Sequence, residues 1–197
     1  MDPIESSSNP KFKLWKSLLE SRGLRKHGQC LISGQKVIAE LLSKQQISPL
    51  QILVSPAMNP LGFETQAPIT LLQKDLFNEL DVLGTKAPIV VGAIPSLDNA
   101  WNPEETTLPE ILLPIGDPSN LGAAIRTAVG LGFHRIVLLK ESAHPFLPRA
   151  IKASSGTVFL ADLLVGPSIE DLPISCLSLD SQGTPIQDFK WPSTGRF

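Results

Sequence analysis

The chain has 197 residues, of which 42% are hydrophobic and 18% are charged, and its formal net charge is −2. This length allows a sizeable core in one large or two small domains. No apolar run reaches the roughly 18 residues of a membrane span, and the N-terminus lacks the apolar region of a secretion signal, so we expect a cytoplasmic protein. The two cysteines, Cys30 and Cys176, lie too far apart for a CxxC metal or redox motif, so we predict buried thiols and no metal site.

The first part of the chain alternates helical and strand-like patterns, which indicates a compact α/β domain. A stretch rich in Pro, Asn and Glu at 96–109 then breaks every periodicity and is typical of a linker. We therefore place a first domain at 1–95, the linker at 96–109 and a second domain at 110–197. In the first domain we predict helices at 10–22, 35–45 and 74–83 and strands at 30–34, 51–55, 69–72 and 88–94.

The second part contains apolar strands separated by helices and short loops. This pattern indicates a parallel sheet that is covered on both faces. Ligands of such sheets bind beyond the carboxyl ends of the strands. We predict strands at 110–116, 135–140 and 174–180, an apolar segment at 159–166, a helix after the turn at 116–120 and a helix or turn at 150–156.

Basic charge is concentrated near the N-terminus. Residues 1–44 hold eight Lys/Arg and four Asp/Glu, a net charge of +4, and the rest of the chain carries −6. Six of these cations lie between Lys11 and Lys26, where Glu20 is the one acidic residue and Trp15 stands among them. Such a patch suits a polyphosphate backbone, although an ordinary solvated helix face has the same pattern.

The segment GDPSNLGAAIRTAVGLG (116–132) places a polar turn before a helix of small residues. Asn120 is a suitable N-cap for this helix. Arg126 follows Gly122 by four positions, so we expect its guanidinium to lean toward the helix N-terminus and lie across the bare glycine. A cation there, beside the positive end of the helix dipole, would favour a phosphate or a developing oxyanion. The spacing also allows an ordinary exposed arginine.

Other familiar sites are not indicated by the sequence. The turn fits neither the GxGxxG fingerprint nor the P-loop, and the chain has no GxSxG elbow. The histidines form no recognisable ligand or triad set, and we expect His134 and His144 to be surface loop residues.

The same turn and helix resemble the first motif of the SpoU (TrmH) branch of the SPOUT RNA methyltransferases. The matching residues are Asn120, Gly122, Arg126, Thr127, Ala128 and Gly132. The segment PRAIKASSGTVF (148–159) is similar to the second motif, with Lys152 where arginine is usual and Thr157 where alanine is usual. NPKFK (9–13) and Arg25 resemble the start of the family's RNA-binding extension, whereas Ser33 stands where glutamate is usual.

The resemblance implies an α/β protein with two parts: a ribosomal-protein-like α/β/α RNA-binding domain and a parallel-sheet SPOUT (α/β knot) methyltransferase domain. The family's third motif has no counterpart before Phe197. In the family that segment threads the knot, builds most of the cofactor pocket and contributes much of the dimer interface. We therefore expect this chain to be a truncated, unknotted and inactive part of a longer protein.

For the intact protein, the resemblance implies methyl transfer from S-adenosylmethionine to a ribose 2′-hydroxyl of structured RNA, with ribosomal RNA favoured and a homodimer expected. Arg126 would activate the hydroxyl, and Asn120 would hold the loop that positions it. Leu179 and Asp180 would contact the cofactor. The expected RNA contacts are Lys11, Lys13, Arg22, Arg25, Lys26, Arg149 and Lys152. A non-catalytic RNA-binding module and a nucleotide-binding α/β enzyme acting on a small phosphorylated molecule remain open alternatives.

Overall fold

The computed structural model describes residues 3–56, 58, 62–97, 100–104, 109–172, 176–178, 181–185 and 187–190. Its helices are α1 (Pro10–Ser17), α2 (Ser21–His27), α3 (Gln35–Ser43), α4 (Lys74–Leu80), α5 (Pro118–Gly130) and α6 (Pro148–Ala153). Its strands are β1 (Gln29–Ser33), β2 (Pro49–Val54), β3 (Ile69–Leu71), β4 (Ile89–Ala93), β5 (Ile111–Leu113), β6 (Arg135–Leu138) and β7 (Asp162–Val165). We call α1–α4 with β1–β4 the four-stranded unit, and α5 and α6 with β5–β7 the three-stranded unit.

The four-stranded unit is built on a mixed sheet in the order β1-β4-β2-β3. β4 runs antiparallel to both of its neighbours, and β3 runs parallel to β2. All the strands predicted for this part of the chain are present, with bounds shifted by one or two residues. The helices predicted at 35–45 and 74–83 are also confirmed as α3 and α4, each ending earlier than expected.

The single helix predicted over 10–22 is wrong, because this segment contains α1 and the beginning of α2. Glu20 has extended backbone angles, which end the first helix and start the second. Gly23 then lies so close to the end of α1 that a Cβ on it would be 1.9 Å from the carbonyl oxygen of Ser17. Hydrophobic periodicity missed this break because Phe12, Trp15 and Leu18 are buried at helical spacing up to the break itself.

The three-stranded unit has the predicted parallel sheet, in the order β5-β6-β7. Its strands are shorter than expected, and the apolar segment at 159–166 divides into a 3₁₀ turn (Thr157–Phe159) and β7. Part of the strand predicted at 174–180 lies outside the described residues, and its described residues, 176–178, are not in a strand.

Part of the segment expected to be a linker packs against the three-stranded unit. Ala100 forms a parallel bridge with Val165, and the backbone N–H of Trp101 donates to the carbonyl of Val165 at 2.9 Å. The Trp101 side chain is buried beside Leu112 and Leu164. These residues of the segment therefore extend the edge of the sheet at β7.

The two units share one hydrophobic core. A continuous buried cluster contains side chains of both sheets, and α6 packs against β1. The shared core therefore places α6 beside the first strand of the four-stranded unit. Of the helices in the described residues, none is long and apolar enough to cross a bilayer.

Candidate active site

Helix α5 begins earlier than the sequence indicates, so the prediction of Asn120 as its N-cap is wrong. The cap is Asp117, whose carboxylate accepts the backbone N–H of Asn120 at 2.8 Å. Pro118 occupies the first turn, where its fixed φ and missing N–H suit a helix start. The Asn120 side chain is consequently not needed for capping, and the residue is exposed.

Gly122 allows α5 and α6 to pack in backbone contact. A Cβ at this position would lie 2.3 Å from the carbonyl oxygen of Ala150, closer than any real contact. Ala150 therefore covers the buried glycine, and the expectation that Arg126 would lie across it is wrong. Gly122 instead brings the helices of the two motifs together.

Arg126 lies on the solvent side of α5. The residue is exposed, and it makes no hydrogen bond or ion pair with the part of the chain that the structure describes. Its neighbour Thr127 donates its hydroxyl to the carbonyl of Ala123 at 3.0 Å within the helix. A guanidinium that is not engaged in a structural contact can bind an anion without first breaking one.

The second motif forms α6 and a tight turn after it. Ser154 is buried, and its hydroxyl donates to the carbonyl of Ile151 at 2.9 Å. Ser155 and Gly156 follow with φ values of 52° and 85° in the left-handed region. The turn rests on the four-stranded unit, since a Cβ on Gly156 would lie 3.1 Å from a methyl group of Leu41 in α3.

Residues 111–195, which include both motifs, match the model of the SpoU rRNA methylase family. These residues belong to that family.

Two curated relatives extend the similarity into the four-stranded unit. The chain is 35% identical over 202 residues to ribosomal RNA small subunit methyltransferase G 2 of Syntrophobacter fumaroxidans, which covers 96% of this chain and 39% of that protein. It is 30% identical over 163 residues to the 23S rRNA (guanosine(2553)-2′-O)-methyltransferase RlmP of Bacillus subtilis, covering 81% of this chain and 63% of that protein. The chain thus spans less than two thirds of the length of either relative.

A solved structure shares the fold. The AdoMet-bound rRNA methyltransferase of Sinorhizobium meliloti superposes with a TM-score of 0.64 at 19% identity, covering 86% of this chain and 66% of that one. The superposition confirms the SpoU methyltransferase fold for the described residues.

The predicted RNA contacts are all exposed, but they lie on three helices. Lys11 and Lys13 are on α1, which also carries Lys16, an ion-pair partner of Glu79 at 2.5 Å. The remaining contacts are Arg22, Arg25 and Lys26 on α2 and Arg149 and Lys152 on α6. Exposure alone leaves their role in RNA binding a prediction.

Arg25, near the end of α2, borders a cavity that is also lined by the loop before α6. His144 lies in this loop and borders the same cavity. His144 is buried, so its prediction as a surface residue is wrong, whereas His134 is exposed as expected. Burial, together with the positive charge of Arg25, lowers the pKa of His144 from 6.5 to about 4. The apolar residues next to His144 in the sequence are consistent with burial. The Pro-rich composition of the loop suggested exposure instead.

The expected cofactor contacts, Leu179 and Asp180, lie outside the described residues.

Of the two cysteines, Cys30 is buried as expected and Cys176 is half-buried. Burial raises the pKa of the Cys30 thiol far above its ordinary value, which disfavours the reactive thiolate.

Proposed function

We propose that the protein transfers a methyl group from S-adenosylmethionine to a ribose 2′-hydroxyl of structured RNA. The observation that carries this proposal is the SpoU match over 111–195, within which Arg126 is exposed on a helix fixed to the second motif through Gly122. The names of both curated relatives support ribosomal RNA as the substrate, and the name of the Bacillus relative supports the 2′-oxygen as the methylated atom.

Arg126 is the proposed catalytic residue. A ribose hydroxyl is a weak nucleophile at neutral pH, so its attack is assisted by a group that stabilises negative charge on the oxygen. The permanently charged guanidinium of Arg126 can do this, and its exposed position leaves it accessible to a ribose and its neighbouring phosphate. As the oxygen bonds to the methyl carbon, the bond from that carbon to the sulfonium sulfur would break and S-adenosylhomocysteine would leave, while the hydroxyl proton passes to solvent or to a basic group of the RNA.

Asn120 is proposed to position the same reaction. Its backbone N–H is held by the carboxylate of Asp117, which fixes the first turn of α5. Its exposed side-chain amide has both donor and acceptor atoms for the substrate or for the adjoining loop.

The carboxyl end of β5 suits a cofactor. Among the described strands β5 pairs with β6 alone, and Pro114 and Gly116 beyond its end are exposed. Ligands of open parallel sheets bind at this end. S-adenosylmethionine would supply the electrophilic methyl group there, and we propose Leu179 and Asp180 as its contacts.

The RNA is proposed to bind the predicted contacts on α1, α2 and α6, which are Lys11, Lys13, Arg22, Arg25, Lys26, Arg149 and Lys152. We also propose that the protein acts as a homodimer in the cytoplasm. Each phosphate contact releases counterions, so RNA affinity is expected to fall steeply with salt. Light scattering of the purified protein tests the dimer.

The test of the proposed activity is methyl transfer from tritiated S-adenosylmethionine to unmodified ribosomal RNA by the full-length protein. Nucleoside mass spectrometry would locate the methyl group. Arg126→Ala should lower the rate by about 100-fold or more while the circular dichroism spectrum stays unchanged. Arg126→Lys tests the need for a guanidinium.

Lys74→Gln is the matched control, because Lys74 is an exposed cation directly after β3, at the sheet edge opposite β1. It should keep the wild-type rate. Tight RNA binding without transfer by the wild type would favour a non-catalytic RNA-binding module. Methylation of a base in place of the ribose would contradict the proposed chemistry.

A further inference from the structure

A cavity of about 630 Å³ lies between the two units. One wall comes from the end of α2, including Leu24 and Arg25, and from the segment after β4. The other wall comes from the segment after β6, including Lys140, His144 and Pro145. The residues of α2 and those of the segment after β6 that border the cavity are more than 100 positions apart in the sequence, so no sequence motif indicates it.

The size and chemistry of this cavity fit a single nucleotide. Ligand pockets typically measure about 300–1,000 Å³, are mostly apolar and carry a few polar groups. Here apolar side chains such as Leu24 and Pro145 line the walls, and the two cations Arg25 and Lys140 come from opposite units. None of the described residues that line the cavity is acidic.

The positive charge of the cavity is weakly opposed. Arg25 is exposed and makes no ion pair within the described ranges. Lys140 lies 3.9 Å from Asp171, but both side chains are more than 60% exposed, so this pair is worth little. The neighbouring Glu141 accepts the backbone N–H of Ile169 at 3.1 Å, outside the set of lining residues.

His144 adds a hydrogen-bond donor. Its Nδ1 accepts the backbone N–H of Phe146 at 3.3 Å, so the neutral ring carries its hydrogen on Nε2. The ring is held in this form because the nearby charge of Arg25 and burial both oppose a second proton. A neutral donor in an apolar wall suits the polar edge of a base or a ribose.

We propose that this cleft binds one unstacked nucleotide of the RNA substrate, with its phosphate contacted by Arg25 and Lys140 and its base packed against Leu24 and Pro145. This inference rests on the proposed function. The site lies beyond the ends of β6 and β7, whereas Arg126 lies on the helix that follows β5. Arg126 is not among the residues that line the cleft, so we assign the bound nucleotide to a position other than the methylated one, where it would help to set the position of the RNA on the protein.

The test measures binding of a fluorescein-labelled, single-stranded 12-nucleotide RNA of mixed sequence by anisotropy, at several KCl concentrations. Arg25→Gln and Lys140→Gln remove the two cations. Each should weaken binding about fivefold or more. Each should also reduce the slope of the logarithm of the binding constant against the logarithm of the KCl concentration (the salt slope) by about 0.7, the value for one phosphate contact with a single strand. Lys74→Gln, at the far edge of the sheet, should change neither quantity by more than about twofold.

Ala143→Met tests the cavity itself, because Ala143 lines it and a longer side chain fills it without changing charge. This variant should weaken binding and leave the salt slope unchanged. Nuclear magnetic resonance of the His144 ring gives a direct readout: adenosine 5′-monophosphate should shift its signals more than equimolar inorganic phosphate does.

Wild-type affinity in all three cleft variants would overturn the nucleotide site and leave the proposed function intact. Equal ring shifts with inorganic phosphate would overturn the assignment of the base to the cleft. Absence of RNA binding by the wild-type protein would instead contradict the proposed function.

Discussion

The two units of the molecule differ in what they bury. In the four-stranded unit the core is apolar except for Ser33 and Asp81, and the Asp81 carboxylate accepts hydrogen bonds within the adjoining turn, from Thr85 and Lys86. The three-stranded unit buries the carboxylate of Glu110 and the imidazole of His144, and it leaves Leu131 exposed. The comparison shows that the buried carboxylate of the four-stranded unit holds a local turn, whereas that of the three-stranded unit joins separate segments of the chain. Functional sites are where such departures from patterning are expected.

The polar contacts of the three-stranded unit also hold its sheet together. Glu110 is fully buried, accepts from Arg135 Nε at 2.7 Å and from Trp101 Nε1 at 2.8 Å, and so joins β5, β6 and the segment before β5. Arg135 also reaches Asp162 of β7 at 3.3 Å. We expect this network to be the most sensitive point of the three-stranded unit.

The largest stability effect is predicted for Glu110→Ala. The substitution leaves the guanidinium of Arg135 and the indole N–H of Trp101 without their buried acceptor, which should cost about 3–5 kcal/mol in the free energy of unfolding. Asp162→Asn is the control, because its partner contact is solvent-exposed, and it should cost less than about 1 kcal/mol. Urea unfolding followed by circular dichroism measures both, and equal losses would contradict the claim that the buried Glu110 contacts dominate this network.

The next effect is predicted for Gly122→Ala. The new Cβ would collide with the carbonyl of Ala150, so α5 and α6 must separate, at a cost of about 1–3 kcal/mol. Gly130→Ala is the matched control in the same helix, since nothing lies within 4 Å of its added Cβ. The control should be neutral or stabilising by up to about 1 kcal/mol. Thermal unfolding compares the two, and a neutral Gly122→Ala would remove the proposed contact between the motifs.

A smaller effect is predicted for His144 on lowering the pH. Its folded-state pKa of about 4 lies below the ordinary value of 6.5, so between these values the unfolded chain binds more protons. The protein should therefore lose about 2 kcal/mol of stability between pH 7 and pH 5 through this group. His144→Asn, compared with the exposed His134→Asn, should flatten the pH dependence of urea unfolding. An unchanged pH dependence would contradict the burial of an uncharged His144.

Much of the four-stranded unit could be predicted from the sequence because strand length, apolar runs and turns are local signals. The break between α1 and α2 could not, since the backbone approach at Gly23 depends on the position of Ser17 in space. For the site, the motif residues Asn120 and Arg126 were found from their order in the chain. The capping role of Asp117 is a local signal, since Pro118 follows it at the helix start, and it was missed because Asn120 is an equally suitable cap residue. The cleft at Arg25 depends on tertiary packing that no spacing encodes.

The central claim is that the four-stranded unit binds RNA while Arg126 acts in methyl transfer. The most direct measurement is the initial rate of transfer over a range of RNA concentrations for Arg126→Ala and for the double variant Lys11→Gln/Lys13→Gln. The account predicts that Arg126→Ala lowers kcat about 100-fold with little change in KM for RNA, whereas the double variant raises KM and keeps kcat. A wild-type kcat in Arg126→Ala would contradict it.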